Sequence, residues 1–437
     1  MTLLKPGWLI AVVSLFFNTP AIATDTPLFY RGDFDHKVVE APNGAMVNAD
    51  YRSWVEDGPF GEATLVKVRA GVWSIVGLSL SNYSFVETDN GLIAFDSGNN
   101  IGMGKQALEM IRTATDKPII AIIYSHHHYT GGTQAYKKWG GADEFTVFAH
   151  PRLDVNMLSR SSALNAARVR RGAIQFGFYL PHEGADAVYG IKEPTYNDPA
   201  LNVMGHVPVN RPVKDGEEVE FDGVRMVFHH IIADTDDSLL VHFPDHDMVM
   251  HNTMVIPFLY SLYTLRGEYY RNPETMIPYI DLLRNIRPEY IVGAHGNPIT
   301  DREEGYAIAT AHRDAYAFIY NQSIRAINKG MTPDEMAASI HLPKHLKEHP
   351  WLFPAYVDNE YNVRAQYRGI MGWWAEDTAN LHPPSTEELG KVFIEGFGDS
   401  KKLVKAAQKA FKEKKYNLTA KLLSYVIAAE PDNSQAK

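Results

Sequence analysis

Three consecutive histidines follow an apolar β-type run, in the stretch Ala121-Ile-Ile-Tyr-Ser-His-His-His-Tyr-Thr-Gly-Gly132. Side chains alternate between the two sides of an extended chain, so His126 and His128 should converge while His127 points away. Two neutral imidazoles on one side supply half of a zinc or iron ligand shell. The alternative is a solvated polar loop whose histidines bind backbone carbonyls. A histidine triplet has no packing role after so apolar a strand, which favours the metal site.

A second candidate ligand is His295, which is isolated among small residues in Gly293-Ala-His-Gly-Asn-Pro298 after a short β-type run. That position is typical of a late metal ligand, and the alternative is an ordinary loop histidine. The 437 residues include no cysteine, so disulfides and thiolate ligands are excluded. Any metal must therefore be held by His, Asp and Glu.

Length and composition indicate a large globular protein. A chain of 437 residues predicts one catalytic domain plus helical extensions, and 45% apolar and 22% charged residues are ordinary for a folded protein. The formal charge of −10, without a long basic cluster in the catalytic part, argues against nucleic acid as a partner. A small or amphiphilic substrate is the better-suited ligand.

Residues 1–23 are typical of a secretory signal peptide, with Lys5 before an apolar segment and Ala21-Ile-Ala23 as the cleavage pattern. We therefore expect a mature chain that starts near Thr24 and is exported, most simply to the periplasm. The alternative is a retained membrane anchor. The apolar run is shorter than the roughly 20 residues that span a bilayer, so no stable anchor is expected.

The order of predicted elements indicates a sheet covered by helices. Short strands come first and are followed by β-α-β segments and by a second β-rich block at 218–250. The predicted strands are Thr64–Val68, Val72–Val76, Tyr83–Glu87, Leu92–Asp96, Pro118–Tyr124, Phe145–Ala149, Val224–His229, Ser238–Phe243, Met248–His251 and Glu289–Val292. Helices are predicted over Gly104–Ala114 and Arg152–Arg171.

From residue 303 onward the pattern is helical. A long periodic segment stops at Gly330, and Thr332-Pro-Asp-Glu335 predicts a new helix with a capping box. After His382-Pro-Pro384, residues 400–431 predict two amphipathic helices that resemble one tetratricopeptide unit. One such hairpin cannot bury its own apolar face, so we expect it to dock on the main body or on a second subunit.

The His turn resembles the strand-to-loop turn of the metallo-β-lactamase superfamily, in which His-x-His-x-Asp-His precedes Gly-Gly. An ungapped match to Gly131-Gly132 places Tyr124, His126, His128 and Tyr129 at the four ligand positions. A match from Ser125 keeps both first-site histidines and deletes the Asp-His pair. In either case the second metal half-site lacks its carboxylate and its imidazole.

Within that superfamily the chain resembles the alkylsulfatases with a dimerisation domain. The resemblance is carried by 81–87 (Ser-Asn-Tyr-Ser-Phe-Val-Glu), 262–267 (Leu-Tyr-Thr-Leu-Arg-Gly), 372–374 (Gly-Trp-Trp) and 379–383 (Ala-Asn-Leu-His-Pro). It implies an αβ/βα sandwich over 24–302, followed by an all-α dimerisation region over 303–437 and a homodimer.

The same resemblance implies a set of site residues. The first-site carboxylate falls on Asp234, the bridging carboxylate on His251 and the final histidine on His295. The histidine that donates a proton falls on Tyr260. The implied ligand pool is therefore His126, His128, Asp234, His251 and His295, for one or two zinc ions, with iron or manganese as alternatives.

The resemblance thus implies a metal-dependent hydrolase of a small amphiphilic or anionic ester. A bound divalent ion lowers the pKa of water from about 15.7 toward about 7. Asp234 or an unliganded histidine could act as general base, and Arg266 could bind a sulfate or phosphate oxyanion or form a salt bridge. Three hypotheses remain open: hydrolysis of an organic sulfate ester, hydrolysis of a lactone, phosphodiester or β-lactam with one metal, and a non-catalytic member that binds a ligand.

Overall fold

The computed structural model describes residues 37–58, 60–190 and 193–437. The predicted signal peptide, residues 1–23, lies outside the described residues. The chain forms two compact units, one that extends to Pro384 and one over Ser385–Lys437. The predicted division at residue 303 stays a prediction, and a helix does begin there, at Arg302.

Fourteen strands are present in the described part of the chain. They are β1 (Val38–Glu40), β2 (Met46–Asn48), β3 (Thr64–Arg69), β4 (Val72–Val76), β5 (Tyr83–Glu87), β6 (Leu92–Phe95), β7 (Ile119–Ile123), β8 (Thr146–Ala149), β9 (Arg211–Pro212), β10 (Glu217–Phe221), β11 (Val224–Ile231), β12 (Ser238–Phe243), β13 (Met248–His251) and β14 (Tyr290–Gly293).

Thirteen α-helices accompany them in the same described ranges. They are α1 (Ala49–Glu56), α2 (Ile101–Ile111), α3 (Thr133–Trp139), α4 (Leu153–Asn156), α5 (Asn165–Gln175), α6 (Pro273–Ile286), α7 (Arg302–Ile327), α8 (Pro333–Ser339), α9 (Lys344–Lys347), α10 (Asn359–Met371), α11 (Thr386–Phe397), α12 (Ser400–Lys412) and α13 (Tyr416–Ala429). None of the described helices is long and apolar enough to cross a bilayer.

Two sheets form the centre of the larger unit. The first has the order β3-β4-β5-β6-β7-β8-β9, antiparallel up to β6 and parallel from β6 to β9. The second has the order β10-β11-β12-β13-β14, antiparallel except for the parallel pair β13-β14. The sequence order of strands and helices therefore matches the predicted β-α-β plan.

A shared apolar core joins the sheets. Ile123 and Phe148 of the first sheet pack in one cluster with Phe228 and Met250 of the second, and all four are almost fully buried. Burial of each such side chain contributes roughly 1.5–3 kcal/mol. Separate apolar clusters join α2 to the outer face of the first sheet and α6, α7 and α10 to the outer face of the second. The result is the predicted αβ/βα sandwich.

The sandwich places the predicted ligands at one rim. In the second sheet, β11 and β13 both run antiparallel to β12, and β14 runs parallel to β13. The carboxyl ends of these three strands therefore lie at the same rim, and β7 of the first sheet also ends there. The amide of Leu239 in β12 donates to the carbonyl of Ser125 at 2.8 Å, which ties the His turn of the first sheet to the second sheet. Side chains that follow these strands can therefore meet across the rim.

One predicted helix is wrong. The span Arg152–Arg171 was predicted as a single helix, but it is divided into α4, a wide π-type turn over Met157–Ser162, and α5. The predicted helical conformation is present on both sides of the break, and π-type turns of this kind occur as single-turn interruptions within helices. The capping box of Thr332 and Glu335 is confirmed at the start of α8.

The unit over Ser385–Lys437 contains three helices. α12 and α13 confirm the predicted hairpin, with Leu403, Val404 and Val426 buried between them. α11 was not predicted, although the side chain of Ser385 accepts a hydrogen bond from the amide of Glu388 three residues later, a typical helix start. Phe393 of α11 stacks on Tyr425 of α13, with ring centroids 4.7 Å apart. Part of the hairpin's apolar surface is therefore covered within its own unit.

Candidate metal centre

The His turn brings two imidazoles together. The backbone stays extended through His126 and then makes one 3₁₀ turn over His127–Tyr129. The Nε2 atom of His126 lies 2.9 Å from the Nδ1 atom of His128. His127 points to the other side, where its Nδ1 lies 3.0 Å from an oxygen of Asp237. The convergence expected from side-chain alternation is therefore observed.

Two glycines hold the turn against the neighbouring loop. A Cβ atom on Gly131 would lie 2.1 Å from the carbonyl oxygen of Asn99, and a Cβ on Gly132 would lie 2.1 Å from that of Ser97. Any side chain would therefore push the turn away. The amide of Gly131 donates to the carbonyl of Gly98 at 2.7 Å, which closes this contact.

Asp234 completes a cluster of three ligand atoms. It lies in the loop after β11, and its Oδ2 is 2.7 Å from Nδ1 of His128 and 3.2 Å from Nε2 of His126. Among the described residues, this is the one set of three or more His, Cys, Asp or Glu side chains whose ligand atoms all lie within 4.8 Å of one another. The first sheet thus supplies two ligands and the second sheet the third.

Arg271 holds Asp234 in place. Its Nη2 donates to Asp234 Oδ1, its Nε to the Asp234 carbonyl at 3.2 Å, and its Nη1 to the Ser261 carbonyl at 2.6 Å. The guanidinium lies over the ring of Tyr260, 5.0 Å from its centroid. One oxygen of Asp234 is therefore fixed by an ion pair, while the other faces the two histidines.

His251 and His295 lie near the cluster but outside it. His251 Nδ1 donates to the carbonyl of Asn252 at 2.7 Å, and its buried Nε2 has no hydrogen-bond partner. His295 Nδ1 donates to the carbonyl of Leu80 at 2.7 Å, and its Nε2 lies 3.2 Å from the hydroxyl of Tyr129. These two residues were predicted as ligands, and the structure does not bring them into the group with His126.

Two buried carboxylates, Asp96 and Asp237, form hydrogen bonds with the His turn. Asp96, at the end of β6, accepts from the amide of Ser125 at 2.8 Å through Oδ1, while its Oδ2 has no partner. Complete burial raises the pKa of Asp96 to about 7. Burial alone would raise the pKa of Asp237, but the hydrogen bond from His127 and the charges of the neighbouring histidines lower it.

Burial also keeps the site histidines neutral. It lowers the pKa of His126 to about 3, with further contributions from the charges of His127, Arg271 and Arg266. The pKa of His128 lies well below its usual value for the same leading reason, and that of His295 falls to about 4. A neutral imidazole offers a free lone pair, which metal coordination requires.

A cavity of about 60 Å³ opens beside the cluster. Its lining includes Asp234 and Arg271, and it also includes two predicted catalytic residues, Arg266 and Tyr260. The Tyr260 hydroxyl lies 3.5 Å from the Thr253 hydroxyl, and burial raises the pKa of Tyr260 well above its usual value. Tyr260 is therefore a neutral hydrogen-bonding group at this position.

The residues present fit one metal ion. Ligand atoms 2.7–3.2 Å apart can all lie about 2.0–2.2 Å from one point, as zinc requires. His126 Nδ1 lies 2.8 Å from the hydroxyl of Ser125, an outer partner that can leave Nε2 free to bind metal. Two imidazoles and a carboxylate suit zinc, iron or manganese.

Sequence reasoning missed Arg271, because nothing in Tyr269-Tyr-Arg-Asn-Pro273 marks it as functional. It also left the role of Tyr129 open, and Tyr129 lies at the site. Tyr124, the other tyrosine considered as a ligand, donates to the carbonyl of Val207 at 3.0 Å and is fully buried in the core. Tyr124 therefore has the contacts of a packed core residue.

Comparison with known proteins identifies relatives. Residues 332–437 match the alkyl sulfatase dimerisation family. The chain is 28% identical over 358 residues to a linear primary-alkylsulfatase from Pseudomonas sp.. The aligned region covers 80% of this chain and 67% of that protein. It is also 25% identical over 384 residues to an alkyl/aryl-sulfatase from Saccharomyces cerevisiae. That aligned region covers 85% of this chain and 59% of the yeast protein.

A solved structure shares the fold. A stereoselective inverting sec-alkylsulfatase from Pseudomonas sp. superimposes with a TM-score of 0.78 at 22% identity, over 94% of this chain and 70% of that one. The resemblance inferred from the residues is thereby confirmed, as is the predicted fold class. The chain spans about two thirds or less of the length of the curated relatives it matches.

Proposed function

We propose that this chain, a relative of the alkylsulfatases with a metallo-β-lactamase-type fold, is a metal-dependent hydrolase of an organic sulfate ester. The observation that carries the proposal is the meeting of His126, His128 and Asp234 beside a cavity that Arg266 also lines. The relatives named alkylsulfatases support the substrate class.

His126, His128 and Asp234 would hold the ion. When bound, a divalent ion supplies Lewis-acid chemistry and activates water for attack on an ester. The ion pair from Arg271 leaves Asp234 Oδ2 directed at the two imidazoles. Held in this way, the three groups need little rearrangement to coordinate an ion.

Arg266 is the proposed sulfate-binding residue. Its amide donates to Gln175 Oε1 at 2.6 Å, which fixes the backbone, and its Nη1 lies 3.4 Å from the Tyr356 hydroxyl. It has no carboxylate partner within 4.0 Å in the described ranges, unlike Arg168, which pairs with Glu268 at 2.9 Å. A guanidinium without a salt bridge can use its planar fork of N–H donors to bind two oxygens of an anionic sulfate.

The apolar wall of the cavity would bind the alkyl group. Trp54, Phe60 and Phe258 form an aromatic cluster with ring centroids 5.1–6.4 Å apart, and all three line the cavity. Tyr129 and Tyr260 also line it, and burial raises the pKa of both hydroxyls far above neutrality. Both hydroxyls therefore stay protonated, and Tyr260 can donate a hydrogen bond to an ester oxygen, whereas the Tyr129 hydroxyl lies within reach of His295 Nε2.

The test is release of inorganic sulfate. Purified zinc-loaded protein is incubated with alkyl sulfates of six to twelve carbons, and sulfate is measured by ion chromatography. We expect release by the wild-type chain and none by His126→Ala/His128→Ala. Arg284→Met is the matched control, because Arg284 bonds to Asp281 and Tyr306 on helices away from the cavity lining.

The other hypotheses are outcomes of this experiment. Hydrolysis of a lactone, phosphodiester or β-lactam without sulfate release would replace the substrate class but keep the metal site. If the folded wild-type protein binds no metal and hydrolyses none of these substrates, a non-catalytic binding role would be favoured.

We also propose that the chain is exported to the periplasm and acts as a homodimer. The signal-like residues 1–23 support export, and the dimerisation-family match supports the dimer. Fractionation of a Gram-negative host with amino-terminal sequencing should find a chain that begins near Thr24 outside the cytoplasm. Light scattering should give twice the mass of one chain.

A further inference from the structure

We propose that this centre holds a single metal ion, and that side chains of the protein fill the half-site where the superfamily resemblance implies a second ion. The filling groups are the Tyr129 ring and the guanidinium groups of Arg266 and Arg271. This inference rests on the proposed function only for the presence of one ion. The number of ions can be measured without an activity assay.

Tyr129 separates the two groups of histidines. Its ring centroid lies 5.0 Å from that of His126 and 5.5 Å from that of His295, nearly perpendicular to each. Because His295 Nδ1 donates to Leu80, its Nε2 is an acceptor, and the Tyr129 hydroxyl is within reach to donate to it. The one nitrogen that His295 could offer to a metal is therefore engaged by a phenol.

His251 cannot complete a site by itself. Its Nε2 is a buried acceptor without a partner, so a lone pair is available. No carboxylate in the described parts of the chain forms a group of three mutually close ligand atoms with His251 and His295. A second divalent ion would thus have two neutral imidazoles and a phenol but no anionic ligand, although oxygen anions normally accompany histidine at such sites.

The charge of the cavity opposes a second cation. Two guanidinium groups, Arg266 and Arg271, line it, and Asp234 is its one lining carboxylate in the described residues. Asp234 already pairs with Arg271 and faces the two histidines of the first site. Because Asp234 compensates Arg271, Arg266 leaves the lining with an excess positive charge, which repels another cation and attracts the anionic sulfate. Arg266 would thus provide charge compensation that a second ion would otherwise provide.

The test is metal stoichiometry of the full mature chain. Protein stripped with a chelator is titrated with Zn²⁺ and, in parallel, with Co²⁺, and the bound metal is counted by plasma mass spectrometry after gel filtration. We expect one equivalent per chain in the wild type and none in His126→Ala/His128→Ala. His251→Gln/His295→Gln should still bind one equivalent with an affinity within about threefold of wild type.

Three outcomes would overturn the inference. The first is two equivalents in the wild type. The second is loss of the ion from the His251→Gln/His295→Gln variant when circular dichroism shows that it is folded. The third is a visible tyrosinate charge-transfer band on Fe³⁺ loading that disappears in Tyr129→Phe, because it would make Tyr129 a ligand. One ion without sulfate release would contradict the proposed function alone, whereas two ions with sulfate release would contradict this inference alone.

Discussion

The ion pair between Arg271 and Asp234 predicts a large loss of stability for Arg271→Met. Methionine retains much of the side-chain length and removes all donors. Arg271 is 5% exposed and Asp234 is 8% exposed, so neither charge has ready access to water. After the substitution, Asp234 Oδ1 keeps no hydrogen bond from the described residues, and the Ser261 carbonyl loses the donor at 2.6 Å.

The expected magnitude follows from leaving one buried charge unpaired. Removal of one partner of a buried ion pair costs about 3–5 kcal/mol. The matched control is Arg284→Met, whose side chain makes a similar number of bonds but is 22% exposed, beside an Asp281 that is 35% exposed. Such a solvated pair contributes about 0–1 kcal/mol, so the two arginines should differ several-fold in effect.

The assay is urea unfolding in chelator-treated buffer at pH 7, followed by circular dichroism. Arg271→Met, Asp234→Asn and the double variant form a thermodynamic cycle, and we expect the double variant to lose about 2–3 kcal/mol less than the sum of the single variants. A loss below about 1 kcal/mol for Arg271→Met, or additive effects in the cycle, would refute the claim that the pair fixes the ligand carboxylate.

Three further predictions concern groups around the turn and the cavity. Arg266→Gln should lower kcat/KM for alkyl sulfates about 10–100-fold, the equivalent of a hydrogen bond to a charged group, and an unchanged value in steady-state assays would remove it from the sulfate site. The raised pKa of Asp96, about 7 against 3.8, favours folding below pH 4, and this contribution is lost as the pH rises through 7. Asp96→Asn should therefore gain about 2–3 kcal/mol relative to wild type between pH 5 and pH 8 in urea unfolding, and parallel pH profiles would contradict this. Gly131→Ala should abolish metal binding or folding, because its Cβ would overlap the Asn99 carbonyl, whereas Gly172→Ala, which meets no atom within 4 Å, should leave zinc binding intact.

The sequence was informative wherever a pattern is local. Short apolar runs bounded by turn residues predicted β4 and β5 to the residue, and both strands are buried on both faces, as such runs indicate. The Thr332–Glu335 capping box marked the start of α8, because a cap needs only neighbouring residues. The paired histidines of the turn were also predictable from local alternation.

The predictions failed at one local irregularity and stopped where residues far apart along the chain meet. Periodicity predicted one helix over 152–171, but the wide turn at 157–162 divides it. The ligand pool from the family pattern held five residues, and the fold groups three of them, because the Tyr129 ring intervenes before His295. Arg271 was missed because its partner, Asp234, lies 37 residues away.

By itself, then, the sequence determined most strands of the two large sheets, the capping box of α8 and the side of the strand on which His126 and His128 emerge, since these depend on backbone geometry over a few residues. Only the tertiary structure decided that Asp234 faces these two histidines and that Arg271 fixes Asp234. It also decided that His251 and His295 lie outside this group of three ligands. Those relations arise because two sheets, formed by separate halves of the larger unit, bury a common core and bring their strand ends to one rim.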